Sequence, residues 1–312
     1  MPINVRPVVP SRIISELFSH QSRRTPRSIV GGYIALTKPR IIELLLITTV
    51  PTMVLAADKW PSWSLIAVTL LGGTLAAGGA NAINMYIDRD IDKLMKRTQT
   101  RPLVTGLIAP KNALVFALVL EVVAFAVLWF GANLLSALLA LSATAFYVFI
   151  YSMWLKRTSK QNIVIGGAAG AVPTLIGWSA VTNSVGWPAV WLFIIIFLWT
   201  PPHFWALAIR HADEYRVAKV PMLPSVVSIE RTVRTMVIYT VVLAVATLVL
   251  IPVAGLGWIY GASAVLLGLG FIIGTAMLGY KPTEAWSMRV FSFSITYVTL
   301  LFGAMMVDVL IS

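Results

Sequence analysis

Apolar runs close to twenty residues long recur nine times along this chain, at approximately 36–56, 64–87, 112–131, 134–153, 162–182, 187–209, 233–254, 257–279 and 289–310. A helix of that length crosses about 30 Å of hydrocarbon. The pattern therefore predicts an all-α polytopic membrane protein, a bundle of nine transmembrane helices. The joining segments alternate between polar and nearly uncharged. With the N-terminus in the cytoplasm, 23 of the 24 Lys and Arg residues fall on the cytoplasmic side and only Lys59 lies outside. Basic residues in short loops are retained on that side, so the expected orientation is N-terminus cytoplasmic, C-terminus outside. Residues 1–32 read as a disordered cytoplasmic tail, and 33–312 as one nine-helix domain.

Composition narrows the class. Hydrophobic residues make up 58% of the 312 and charged ones 12%, well outside the soluble range. There is no cysteine, which excludes disulfides and thiolate metal sites. The net charge of +12 is spread between apolar runs rather than gathered in one patch, so the expected partner is the lipid bilayer and not nucleic acid. The first thirty or so residues hold Arg6, Arg12, Arg23, Arg24, Arg27 and a single acid, Glu16. They have no apolar core of signal-peptide length, and no cleaved signal is expected, although an Arg-rich, acid-poor tail also fits a mitochondrial transit peptide. A bacterial inner (plasma) membrane is the expected location, with the mitochondrial inner membrane as the alternative.

Against this apolar background, carboxylates cluster in Asn84-Met-Tyr-Ile-Asp88-Arg-Asp90-Ile-Asp92-Lys93, followed by Lys96, Arg97 and Arg101. If the second helix continues to about Asp92, steps of four residues stack Asn84, Asp88 and Asp92 on one face. Three oxygen-bearing side chains so placed suit Mg²⁺, which keeps some waters and shares its remaining positions with a substrate diphosphate. Lys93, Lys96, Arg97 and Arg101 supply positive charge for a leaving diphosphate. A solvated loop between two membrane helices would also be polar, but the Asn on the carboxylate face favours a metal site.

The loop after the sixth helix is the second informative stretch. Pro201 and Pro202 inside an apolar run should kink or break the helix, placing His203 in the bundle interior, where an ionisable residue is a functional candidate or a hydrogen-bonded structural one. Beyond it lie His211, Asp213, Glu214, Tyr215, Arg216 and Lys219. No second acid follows Asp213 at four residues, so a second metal triplet is not expected. Tyr215 and Lys219, four apart on one helical face, could hold phosphate oxygens, or belong to an ordinary amphipathic helix. Glu43, Glu121 and Asp308 are acids at membrane depth that should face protein or water. Lys38 and Arg40 could simply snorkel, Lys156, Arg157 and Lys160 could contact phosphate although topology alone explains them, and Gly166, Gly167, Gly170 and Gly177 form a face for close helix packing.

The Asn84-xxx-Asp88-xxx-Asp92 triplet at the end of the second of nine helices resembles the first signature of the UbiA-type intramembrane prenyltransferases. The longer string from Asn84 through Thr98 to Arg101-Pro102-Leu is similar to the heme farnesyltransferases within that superfamily. So are Thr200-Pro-Pro-His203-Phe-Trp, Asp213-Glu-Tyr215, Pro221-Met-Leu-Pro224 and Leu36-Thr-Lys38-Pro39-Arg40. The second Asp-xxx-Asp motif of the wider superfamily would need an acid at Val217, and the heme branch resembles this chain in having Tyr215-xxx-Lys219 instead. The resemblance implies transfer of a farnesyl group from farnesyl diphosphate to a vinyl group of heme B, with water addition, to give heme O. It implies Mg²⁺ on Asn84, Asp88 and Asp92, with Lys93, Arg97, Arg101, Lys219 and Tyr215 around the departing pyrophosphate. His203, or alternatively His211, would contact the porphyrin, and heme-modifying or oxidase-assembly proteins would be partners. A UbiA-type enzyme with an aromatic or quinone-precursor acceptor, a transporter and a non-catalytic heme-binding protein are the alternatives.

Overall fold

The computed structural model describes residues 26–312, apart from the side chains of residues 26, 27 and 40–46. Glu43 and Arg40 thus lie outside the described side chains, and residues 1–25 outside the described chain. The helices are α1 (Pro26–Thr37), α2 (Pro39–Ala57), α3 (Trp63–Ile87), the single turn α4 (Arg89–Asp92), α5 (Pro110–Gly131), α6 (Leu134–Thr158), α7 (Asn162–Thr182), α8 (Trp187–Arg210), the short α9 (Ala212–Val217) and α10 (Leu223–Val226), α11 (Ile229–Ala254), α12 (Trp258–Tyr280) and α13 (Glu284–Ile311). Among the described residues, α3, α5, α6, α7, α8, α11, α12 and α13 are each long and apolar enough to cross a membrane. The protein is an all-helical integral membrane protein.

Local chemistry sets the ends. Ser62, Asn133, Ser228 and Thr283 each cap a helix by accepting the N–H three residues on, and Pro39 and Pro110 occupy first-turn positions that need no N–H. Gly255, at φ 67°, ends α11 in the left-handed conformation. Where one run of 36–56 is expected, two helices meet at Lys38, itself left-handed at φ 52°. The helical chain begins at Pro26, so residues 26–32, expected in the tail, are the first turns of α1.

Packing closes a ring. Each of α2, α3, α5, α6, α7, α8, α11, α12 and α13 packs on the next, and α13 returns to pack on α2. Two crossings, α2 with α7 and α8 with α13, brace the interior. Glycine makes one of them possible: a Cβ at Gly177 would sit 2.8 Å from the Thr49 carbonyl. Gly166 and Gly167 likewise receive Tyr151 and Thr200, whereas Gly170 has no neighbour within 4 Å. Three of the four glycines expected to form a packing face do so, each toward a different helix.

The expected break at Pro201 and Pro202 does not occur, and α8 continues unbroken to Arg210. Thr200, both prolines, His203 and Trp205 are all buried, so packing holds the turn that the missing N–H groups would loosen. The intramembrane acids Glu121 and Asp308 do face protein. Glu121 accepts from Thr144 at 3.2 Å, and Asp308 accepts the N–H groups of Gly257, Ile259 and Tyr260 at the start of α12.

Candidate active site

α3 ends at Ile87, not at Asp92, yet the register survives the break. The Asp88 N–H donates to the Asn84 carbonyl and the Asp92 N–H to the Asp88 carbonyl, both at 2.9 Å. Asn84, Asp88 and Asp92 therefore stack as the four-residue spacing requires, and all three are buried.

The charge on this face is met from three directions. Asp92 Oδ2 accepts from Arg101 at 2.6 Å. Asp88 Oδ2 pairs with Lys156 at the end of α6 and accepts from Asn84 Nδ2 at 2.8 Å. The Asn84 amide also donates to Ser152 Oγ at 2.9 Å, and its oxygen, expected as a metal ligand, accepts from Lys38 Nζ at 2.8 Å. Arg157 chelates Asp90 with two bonds of 2.7 Å, donates to the Ile87 carbonyl and stands 3.9 Å from Asp88 Oδ1. The Arg157 guanidinium holds the Asp90 carboxyl down to about 2.

Two atoms remain unmatched. Asp88 Oδ1 and Asp92 Oδ1 are buried side-chain oxygens with no hydrogen-bond partner. A buried acceptor without a donor is costly, and two of them on one face fit a hard cation. Among the described residues no third acid or histidine joins them. The protein would then supply two carboxylates, leaving the other positions to diphosphate oxygens and water, as Mg²⁺ favours.

Above this face the two charged segments meet. Ile91 and Met95 pack with Ile163, Ala208, Tyr215, Ala218, Val220 and Met222. Arg97 donates to the Tyr215 hydroxyl at 3.0 Å, lies over its ring, and its backbone N–H donates to Glu214 Oε2 at 3.4 Å. Burial pushes the Tyr215 phenol up against the opposing pull of Arg97, so it keeps its proton. The segment after α4 is folded rather than loose: Thr98 Oγ1 donates to the Asp92 carbonyl at 2.7 Å.

Other expected site residues fall elsewhere. Lys219 does not share a helical face with Tyr215, because α9 stops at Val217 and Lys219 turns left-handed at φ 53°, exposed. Lys93 is exposed as well. His203 stacks between Trp199 and Phe291, with ring centroids at 4.2 and 4.6 Å, and its Nδ1 meets Ser294 Oγ at 2.6 Å. Its hydrogen-bond and ring partners come from α8 and α13, not from the aspartate face. His211 is half-buried against Glu214 at 3.3 Å.

In the sequence Lys38 reads as a snorkelling residue and Lys156 as a cation that could contact phosphate, while Ser152 carries no site role. The placements of Lys156 and Ser152 share one cause: residues Phe146–Leu155 of α6 are wound as a π-helix, a rare form frequent at functional sites. Its last turn delivers Ser152 to Asn84 and leads directly into Lys156.

Known proteins resemble this chain in sequence and in fold. A protoheme IX farnesyltransferase of Paenarthrobacter aurescens is 52% identical over 282 residues, covering 89% of this chain and 88% of that protein. One from Gloeobacter violaceus is 53% identical over 295 residues, covering 94% and 97%. Among solved structures, a digeranylgeranylglyceryl phosphate synthase superposes with a TM-score of 0.74 at 17% identity, over 91% of this chain and all of that one. A UbiA homolog from Archaeoglobus fulgidus bound to GPP and Mg²⁺ gives 0.63 at 16% identity, over 88% and 99%; at such identities these two speak for the fold. The model of the UbiA prenyltransferase family matches residues 45–302, and with it the buried aspartate face, so the chain belongs to the UbiA prenyltransferase family.

Proposed function

We propose that this membrane prenyltransferase moves a farnesyl group from farnesyl diphosphate to a vinyl carbon of heme B, water adding to complete heme O, in a bacterial inner membrane. The observation that carries the donor half is the pair of open, buried oxygens on Asp88 and Asp92 amid Lys38, Arg101, Lys156 and Arg157. Support for the acceptor comes from the names of relatives half identical along most of their length. Family membership sets the transporter alternative aside.

Asp88 and Asp92 would hold Mg²⁺, which when bound neutralises charge on the diphosphate as the allylic carbon–oxygen bond breaks. The chain's own residues do the rest. Lys156 and Arg101, now tied to carboxylates, are flexible cations that a diphosphate would draw toward its oxygens. Tyr215, kept protonated by burial, donates a hydrogen bond to the departing group, and Arg97 holds that phenol in place. The packed segments from Ile91 to Met95 and from Tyr215 to Met222 exclude water from the cation. His203 is assigned to the porphyrin; Ser294 fixes its Nδ1, which leaves Nε2 for the acceptor.

The test is conversion of heme B by purified protein given farnesyl diphosphate and Mg²⁺, read as product mass, with Asp88→Ala as control. A product heavier by farnesyl plus water, lost in the variant and with chelator, is expected. Unchanged heme with farnesyl diphosphate still bound would overturn the acceptor and direct the search to aromatic acids.

A further inference from the structure

Ser152 is fully buried within the π-helical stretch of α6. Many hydroxyls inside the α-helices of this chain return to the carbonyl three or four residues back, as Thr52 does to Thr48 and Thr69 to Leu65, the habit of Ser and Thr in that geometry. Ser152 instead donates to the Tyr147 carbonyl, five residues back, at 2.9 Å. The wider winding is what brings that carbonyl under it.

A hydroxyl carries one hydrogen. With it committed to Tyr147, Ser152 Oγ meets Asn84 Nδ2 purely as an acceptor. The Asn84 amide is then fixed one way round. Reversed, its oxygen would face the lone pairs of Ser152 and of Asp88, and its NH₂ would face the Lys38 ammonium. In the orientation found, both amide hydrogens are used, on Ser152 and Asp88 Oδ2, and Lys38 takes the carbonyl. Asp88 Oδ2 is thereby occupied and Oδ1 left open.

We propose that Ser152 is a positioning residue for the aspartate site: the π-helix fixes its hydroxyl, the hydroxyl fixes the Asn84 amide, and the amide decides which Asp88 oxygen is offered to the divalent cation. This rests on the reading of Asp88 and Asp92 as that cation's site. Groups that orient a ligand this way are typically worth about 10–100-fold in metal affinity.

The experiment is Mn²⁺ titration of purified full-length protein holding farnesyl diphosphate, followed by the electron-spin resonance of free Mn²⁺. Ser152→Ala should weaken Mn²⁺ binding by about tenfold or more with helix content unchanged, and Ser152→Thr, which keeps the oxygen, should restore it. In an Asn84→Ala background, Ser152→Ala should cost nothing further, since the two act in series. If Ser152→Ala does not accumulate, Ser152→Cys, with its weaker acceptor, is read the same way. Unchanged Mn²⁺ affinity in Ser152→Ala, or losses that add fully to those of Asn84→Ala, would overturn the proposal. Asp88→Ala separates the two layers. If it abolishes Mn²⁺ binding while Ser152→Ala leaves the affinity unchanged, only the role of Ser152 falls; if Asp88→Ala too leaves binding unchanged, the metal-site reading falls.

Discussion

Asp88 and Asp308 are both buried aspartates in a membrane bundle, but their surroundings differ. Asp308 accepts three backbone N–H groups at the start of α12, at 2.5, 3.0 and 3.2 Å, using both oxygens. It replaces the cap that Gly257, lacking a side chain, cannot give. Asp88 concentrates Lys156 and Asn84 on one oxygen and leaves the other without a donor. A satisfied carboxylate reads as scaffold, while an incompletely satisfied one fits the proposed ligand site. Depth in the membrane does not tell them apart; the count of donors does.

The sharpest way to break that comparison is to remove each acid. Asp88→Ala and Asp92→Ala should lower turnover by at least roughly a thousandfold while the protein still inserts and melts near the native temperature. Asp308→Ala should do the reverse, leaving three N–H groups unpaired at about 1–3 kcal/mol each with activity per folded molecule nearly intact. Turnover and thermal melting on the same preparations check both; equal behaviour of Asp88 and Asp308 would remove the distinction. Next in size, Lys156→Met and Arg101→Met should raise KM for farnesyl diphosphate about 10–100-fold, the worth of a charge-assisted bond. A loss confined to kcat would mean they act only after binding.

A smaller effect separates the acceptor from the donor. His203→Ala should weaken heme binding about tenfold, as for one lost hydrogen bond or ligand, and farnesyl diphosphate binding less, measured by heme absorbance and by diphosphate titration. Equal losses would return His203 to the scaffold, where Trp199 and Phe291 already hold it. The smallest effect concerns pH. The Asp90 carboxyl is depressed to about 2, so its tie to Arg157 is complete above the ordinary carboxylate range and weakens only as pH falls through that range toward 2. Activity lost between pH 7 and 5 should therefore be the same in wild type and Asp90→Asn; a loss in that window that vanishes in Asp90→Asn would contradict the tie.

Much of this was legible in the residues. Length of apolar run and the charges between runs locate the spans because the bilayer imposes both, and Asn84, Asp88 and Asp92 are visible because a four-residue step survives even a helix end at Ile87. Three things were hidden. Pro201 and Pro202 read as a break, but burial of their neighbours overrides the lost hydrogen bonds. Lys219 reads as the partner of Tyr215, but the turn at φ 53° carries it away. Lys156 reads as a loop cation that could contact phosphate but that topology alone explains, because its pairing with Asp88 depends on a π-helical register that no apolar periodicity announces.

The return of α13 onto α2 carries a consequence for biogenesis. These helices are separated by most of the chain, and at about 5–20 residues per second of synthesis the ribosome takes on the order of tens of seconds to pass from one to the other. For that interval the ring is a crescent whose inner wall faces lipid or the insertion machinery. The aspartate segment and its lysine partner on α6 are made early, whereas the contact of α13 with α2 that completes the ring forms last. The ring is thus complete only when the final helix enters the membrane.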